Sequence, residues 1–108
     1  MEQEKLINIV NDLVKQPNES EWVEFKHNYH SAEEIGERIS ALANGACLHN
    51  QPFGYLVYGI EDKTHKILGT TFNIKSAKKG KEYIESWLIN RLEPKIDFRS
   101  YNFEYNYT

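Results

Sequence analysis

Three carboxylates lie next to or within predicted strands: Glu19, Glu24 and Asp62. Glu24 shares the polar side of its strand with Lys26, because side chains alternate between the two sides of a strand. Glu19 precedes that strand, and Asp62 follows a second, more apolar strand. If the strands pair, their ends bring the three carboxylates together, which is costly unless a cation lies between them. Mg²⁺ and Mn²⁺ accept such oxygen ligands, and metal-assisted cleavage of a phosphodiester uses this arrangement.

A structural interpretation of the same acids stays open at this point. Glu24 pairs with Lys26 or with a lysine on a neighbouring strand, and Glu19 caps a turn. Asp62 shapes the turn in which it stands, as aspartate often does. The spacing alone favours this interpretation over a shared metal site.

A lysine cluster is the second candidate site. It lies within seven residues and comprises Lys75, Lys78, Lys79 and Lys81. Lysines bind phosphates as point charges, and this loop leads into a predicted helix whose N-terminus also attracts anions. Together with Lys26 these residues are the candidate nucleic-acid contacts. The alternative is a solvated loop whose lysines serve only solubility.

Aromatic residues alternate near the C-terminus: Tyr101, Phe103, Tyr105 and Tyr107. Exposed aromatic rings stack on nucleic-acid bases. A strand that packs on helices or on a partner chain uses the same residue types, and we favour this packing interpretation. Such a strand at a sheet edge is also able to pair with a second copy.

Composition limits the remaining possibilities. The net charge is −3, so a nucleic-acid surface must be a local basic patch on an acidic body. The single cysteine, Cys47, excludes an internal disulfide and fits a reducing cytoplasm; its place in a helical pattern predicts a buried thiol. The four histidines have no metal-ligand spacing, and the scattered glycines form no phosphate-binding loop.

Hydrophobic periodicity predicts an α/β (α+β) domain with the order α-β-α-β-β-α-β. The helices are expected at 3–15, from Ser31 to about 46, and at 83–92. The strands are expected at 22–27, 53–60, 67–72 and 95–107, and 73–81 is expected to be a loop. Ser31 and Glu34 form a capping-box pattern that marks the start of the second helix. We expect a mixed sheet with helices packed on one face.

Four segments in order carry a resemblance to a known family: ESEWVEFK, ISALANGA, LVYGIEDKTHKILGTTF and RLEPKIDFRSYNF. They resemble the successive motifs of the Schlafen AlbA-type domain from about Glu19 to about Phe103. The resemblance implies a small α/β domain that binds nucleic acid, usually at the N-terminus of bacterial proteins labelled as transcriptional regulators or ATP-binding proteins. We therefore expect one domain over 1–108, with an N-terminal helix in 1–17 and the motif-bearing core in 19–103, within a longer protein.

The resemblance also implies a possible activity. Some animal Schlafen proteins are metal-dependent endoribonucleases acting on structured RNA, and by motif their catalytic acids correspond to Glu19, Glu24 and Asp62. The same three residues would then be the ligands of Mg²⁺ or Mn²⁺. Those enzymes clamp RNA between two such modules, so a homodimer would supply the second module here. Residues 47–52 form a longer turn where many members of the family have two glycines.

Three functions follow, in order of preference. The first is a nucleic-acid-binding module of a bacterial transcriptional regulator or defence protein, acting on DNA or structured RNA in the cytoplasm. The second is a metal-dependent endoribonuclease that uses the three acids. The third is an oligomerisation or interaction domain whose aromatic final strand docks on a partner.

Overall fold

A computed structural model describes residues 2–16, 20–29, 31–92 and 96–105 of the chain. Within those residues the elements are, in chain order, α1 (Gln3–Val14), β1 (Val23–Lys26), α2 (Ala32–Leu48), β2 (Tyr55–Tyr58), β3 (Lys78–Lys79), β4 (Glu82–Tyr83) and α3 (Ile84–Arg91). The strands form a parallel pair, β1–β2, and an antiparallel hairpin, β3–β4. The predicted α+β class, with one small domain of interleaved helices and strands, is confirmed.

Helix α2 connects the two parallel strands and begins where the capping pattern predicts. The Ser31 hydroxyl accepts a hydrogen bond from the Glu34 backbone N–H at 3.1 Å, which satisfies one of the free donors of the first turn. The small residues of α2 allow close approach to the chain before β1. Gly45 is buried directly against the backbone of Glu21, where a β-carbon would collide with the carbonyl group.

One face of the β1–β2 pair is covered by α1. Val23 and Phe25 of β1 are buried there together with Val10 of α1 and with Ile60, which follows β2. This core contains the apolar side of β1 that the alternation of its sequence predicts.

The opposite face of the pair is covered by α2 and α3. The buried members of this second core are Ala32, Ile35, Ile84 and Leu88. Leu56 and Tyr58 of β2 pack against it, whereas Tyr55 and Val57 pack against the first core. The expectation that all helices cover one face was therefore wrong. Strand β2 is apolar on both sides, so each side needs its own helical cover.

The predicted strand at 67–72 is reduced to a single bridge. It pairs with the chain after β2 only through one antiparallel bridge between Ile60 and Ile67. The backbone N–H groups of Leu68 and Gly69 both donate to the carbonyl of Gly59, at 2.7 and 2.9 Å. The strand pairing ends at this point. Gly59 has a φ of +98°, which turns the chain out of the strand direction.

The described part of the predicted final strand, 96–105, has no regular secondary structure. Its apolar side chains instead extend across both cores, since Phe98 packs against the second core and Phe103 and Tyr105 against the first. Residues 93–95 and 106–108 lie outside the described residues, and with them both ends of that prediction.

Cys47 is exposed in the last turn of α2, so the prediction of a buried thiol was wrong. The buried stripe of this helix runs through Ile35, Leu42 and Ala46. Cys47 follows Ala46 by one residue, which rotates its side chain by about 100° away from that stripe.

Candidate nucleic-acid interface

Glu24 belongs to a group of four charged side chains between β1 and α2. We call this group the sheet charge cluster; it comprises Glu24, Lys26, Glu34 and Arg38. A Glu24 carboxylate oxygen lies 3.2 Å from Arg38 Nε and 3.8 Å from Lys26 Nζ. Lys26 Nζ also lies 3.5 Å from the carboxylate of Glu34. Two acids and two bases neutralise one another, so the cluster has no net charge at neutral pH.

Tyr58 lies beside this cluster, directly opposite Lys26 in the register of the parallel strands. Burial, together with the nearby carboxylates of Glu34 and Glu24, raises the pKa of its phenol to about 12, because both disfavour a negative charge on the phenol oxygen. The phenol is therefore protonated at neutral pH. Its oxygen is buried and has no hydrogen-bond partner among the described residues.

Glu24 also opens onto a shallow groove of about 280 Å³ between the start of β1 and the C-terminal half of α2. Glu21, Asn44 and Leu48 line this groove with it. The carboxylate of Glu21 contacts the imidazole of His49, which caps the end of α2.

Asp62 is exposed in the turn after β2. The ring of His65 holds this turn to the α1 side of the sheet, because it packs on Phe25 with centroids 4.7 Å apart and its Nδ1 lies 3.3 Å from the carbonyl oxygen of Val14. Glu24 faces the α2 side instead. None of the described contacts joins Asp62 to Glu24.

The neighbour of Asp62, Glu61, stabilises the same turn. Its carboxylate accepts hydrogen bonds from the backbone N–H groups of Thr64, at 2.5 Å, and Lys63, at 3.0 Å. These bonds favour the ionised form and lower the pKa of Glu61 to about 2. The carboxylate of Glu61 therefore has local partners within its turn.

Glu19 lies outside the described residues, so the predicted set of three acids is not tested as a whole. Among the residues that the structure does describe, no three His, Cys, Asp or Glu side chains are placed to share a metal ion.

The predicted lysines divide into two groups. Lys26 is only 26 % exposed and lies in the sheet charge cluster. Lys75 pairs with Glu85 at 3.2 Å, and Lys79 pairs with Glu33 at 2.8 Å. The described residues give Lys78 and Lys81 no acidic partner, so these two are the lysines available to an external phosphate.

The segment 73–81 was predicted to be a lysine-bearing loop, but its last residues, from Lys78 onward, belong to the β3–β4 hairpin. Lys79 pairs with Glu82 across it, which leaves Gly80 and Lys81 as a two-residue turn. Gly80 has a φ of +63°, which suits the first position of a type II′ turn and costs little at glycine.

Aromatic rings lie among these cations. Lys78 Nζ is 4.7 Å from the centroid of the Tyr83 ring, and Lys79 and Arg91 each lie 5.4 Å from the centroid of Trp87. We call this region the hairpin surface, and it comprises Lys78, Lys79, Lys81, Tyr83, Trp87 and Arg91. Its four cations lie on a chain whose net charge is −3.

The family model for the Schlafen AlbA_2 domain matches residues 19–108, which is most of the chain. The chain belongs to this family. Membership confirms the resemblance carried by the four sequence segments and suggests a role connected with nucleic acid. Comparisons with curated proteins and with solved structures found no match. In the described part of this Schlafen AlbA_2 domain, no helix is long and apolar enough to cross a membrane.

Several residues of this Schlafen AlbA_2 domain escaped the sequence analysis. Arg38 follows Glu34 by four positions in α2, a spacing that places both on one side of the helix. Tyr83, Trp87 and Arg91 are also spaced by four, from the start of α3 to its end. The helix predicted at 83–92 did not distinguish the exposed Tyr83 from Ile84, Leu88 and Leu92, which are buried. A spacing of four residues between charged or aromatic side chains is the sequence signal that could have identified both groups, the one with Arg38 and the one with Arg91.

The aromatic C-terminal segment of the domain is used for packing in its described part. Phe103 and Tyr105 lie against the first core, and the Tyr105 hydroxyl donates to the side-chain oxygen of Asn11 in α1 at 2.5 Å. Tyr101 is more exposed, and Tyr107 lies outside the described residues. The packing interpretation of this segment is therefore the better one for Phe103 and Tyr105.

Proposed function

We propose that this Schlafen AlbA_2 domain is a nucleic-acid-binding module of a bacterial transcriptional regulator or defence protein. The hairpin surface carries the proposal. On it Lys78 and Lys81 project cations that no described acid neutralises, on a chain that is acidic as a whole. Such a local excess of positive charge attracts a phosphate backbone even when the net charge is negative. Lys75, Lys79 and Lys26 are secondary contacts in this proposal, because each must first exchange an acidic partner for a phosphate.

Salt dependence tests this function directly. Labelled single-stranded DNA, duplex DNA and structured RNA are titrated with the domain at several salt concentrations between about 50 and 200 mM, with fluorescence anisotropy as the readout. Affinity is expected to fall as salt rises, because bound lysines displace the counterions of the phosphates. The absence of binding to all three nucleic acids at the lowest salt would overturn the proposal.

Metal-dependent RNA cleavage is a second proposal, favoured by the position of Glu24 on an open groove at the start of β1. The test is cleavage of a structured RNA with Mn²⁺ by the natural domain and by the Glu24→Ala and Asp62→Ala variants. The proposal expects both variants to be slower. Equal rates in all three proteins would show that the cleavage comes from a contaminant.

A homodimer is the remaining proposal about partners. Light scattering of the domain with and without RNA addresses it, because a homodimer doubles the scattering mass. A mass that stays monomeric under both conditions contradicts it.

A further inference from the structure

The β3–β4 hairpin has two chemically different sides. Residues that face each other across an antiparallel pair have their side chains on the same side. Lys79 and Glu82 form one such pair, and they are directed to neighbours within the fold: Lys79 to Glu33, and Glu82 to Asn90 at 3.5 Å. The other pair is Lys78 and Tyr83, which has no described polar partner elsewhere in the chain.

Tyr83 is the exposed aromatic residue of the hairpin surface. Its residue surface is 51 % exposed, although it immediately precedes the fully buried Ile84. Lys78 Nζ lies over its ring, so a cation and an aromatic ring are presented together. A tyrosine ring combines a large apolar face with a polar tip, which suits it to a binding surface.

Trp87 offers a useful contrast on the same surface. It is half-buried against the second core, and two cations, from Lys79 and Arg91, lie near its ring. Its ring is therefore occupied by contacts within the domain, whereas Tyr83 contacts one lysine and is open to solvent.

We infer that Tyr83 stacks on an unpaired base while Lys78 and Lys81 bind the flanking phosphates, so that the hairpin selects single-stranded nucleic acid or unpaired nucleotides over a regular duplex. The inference rests on the proposed function and adds its ligand class. An aromatic ring stacks on a base of any sequence, but in a duplex both faces of each base are already stacked on neighbouring bases. A surface of cations alone would not make this distinction, because both forms of nucleic acid carry phosphates.

The test compares Tyr83→Leu with Tyr83→Phe on a single strand and on a duplex of equal length. Tyr83→Leu is expected to weaken single-strand binding about tenfold, on the scale of one lost base stack, and to leave duplex binding unchanged. Tyr83→Phe keeps the ring and should bind as the natural domain does. The salt dependence should stay the same in both variants, because neither removes a charge. Phe53→Leu is the matched control, since Phe53 is 65 % exposed but precedes β2.

Oligonucleotides that contain an abasic site sharpen this test. Scanning the abasic site along the strand should reveal a position that weakens binding by the natural domain but not by Tyr83→Leu, because the stack is already absent there. The inference is overturned if every abasic position has the same effect on both proteins, or if Tyr83→Leu binds single strands normally. Normal salt-dependent binding in that case would leave the proposed function intact. Failure of the natural domain to bind any oligonucleotide would overturn both.

Discussion

The sheet charge cluster contains two cations and two acids, whereas the hairpin surface contains four cations, and the two regions differ in how completely their charge is neutralised. In the cluster, Glu24 and Glu34 match Lys26 and Arg38, and the side chains are mostly shielded from water. On the hairpin surface, acids from outside the hairpin reach only some of the cations. The comparison shows that cationic residues alone do not identify a binding surface, because a cation with a close carboxylate has little charge left for a ligand.

The largest expected effect concerns the core that supports both regions. Leu88 is fully buried in α3, so Leu88→Ala should lower the free energy of unfolding by about 2–5 kcal/mol. Urea denaturation followed by circular dichroism measures this. Ile89→Ala is the matched control. Ile89 follows Leu88 in the sequence but is 54 % exposed, so this substitution should change the free energy of unfolding by less than about 0.5 kcal/mol. Equal effects of the two variants would contradict the placement of this core.

The next effect distinguishes binding from stability at the hairpin surface. Lys78→Ala combined with Lys81→Ala should weaken single-strand binding about 25-fold at about 0.1 M salt, because each lost phosphate contact costs about fivefold there. The unfolding free energy should not change, since neither lysine has a described acidic partner. Anisotropy and urea denaturation measure the two quantities. Lys5→Ala combined with Lys63→Ala removes the same charge from exposed positions elsewhere and should bind nearly as the natural domain does.

Arg38→Ala should lower the free energy of unfolding and leave binding nearly unchanged, which is the reverse of the lysine double variant. It leaves the partly buried Glu24 with Lys26 as its remaining described cation, and we expect a loss of about 1 kcal/mol in unfolding free energy. Binding should stay within about twofold, because Arg38 is paired with Glu24 and is not among the proposed nucleic-acid contacts. Arg38→Lys should recover part of the stability, and Arg99→Ala is the exposed control. A loss of binding as large as that of the lysine double variant would place the cluster in the interface and remove the contrast between the two regions.

The smallest effect comes from releasing Lys79 from its acid. Glu33→Gln should tighten single-strand binding by up to about fivefold at about 0.1 M salt, because Lys79 becomes available to a phosphate. Glu82→Gln is the matched control, since Glu82 contacts Asn90 rather than a lysine. Unchanged affinity in Glu33→Gln would show that Lys79 does not reach the ligand.

The ion pair between Lys79 and Glu33 should respond to pH in a defined direction. The hydrogen bond from Lys79 holds the pKa of Glu33 below its ordinary value of 4.5. The ion pair is therefore complete above pH 4.5 and is lost only as the pH falls through the lowered pKa. The difference in affinity between the natural domain and Glu33→Gln should be constant from pH 7 to pH 5 and should shrink below pH 4.5. A difference that disappears between pH 7 and pH 6 would contradict this assignment.

Local patterns predicted much of the fold. The capping pattern at Ser31 marks the start of α2, and the alternation in β1 places Val23 and Phe25 in a core with Glu24 on the other side. The segment 67–72 was less predictable, because the turn at Gly59 ends the ladder after one bridge. The described part of the final segment has strand-like alternation but packs across both cores without strand pairing.

The candidate site was predictable in part. The sequence concentrated lysines at 75–81, and family membership supports a role connected with nucleic acid. The sequence did not reveal that Tyr83 is exposed, because the hydrophobic pattern included Tyr83 in the predicted helix 83–92, whereas Tyr83 ends β4 and α3 begins at Ile84. Glu19 lies outside the described residues, so the combined site of three acids stays a prediction.

The sequence by itself determined which side of β1 carries Glu24, where α2 begins and where lysines are dense. These features follow from the covalent periodicity of the backbone and from contacts within a few residues. Only the tertiary structure decided which charges are neutralised. Glu33 is 46 positions from Lys79 along the chain, and Arg38 reaches Glu24 only because α2 packs on the β1–β2 pair. Coulomb interactions depend on distance in space, so the division into a neutral cluster and a cationic surface emerges only when the helices and strands have packed.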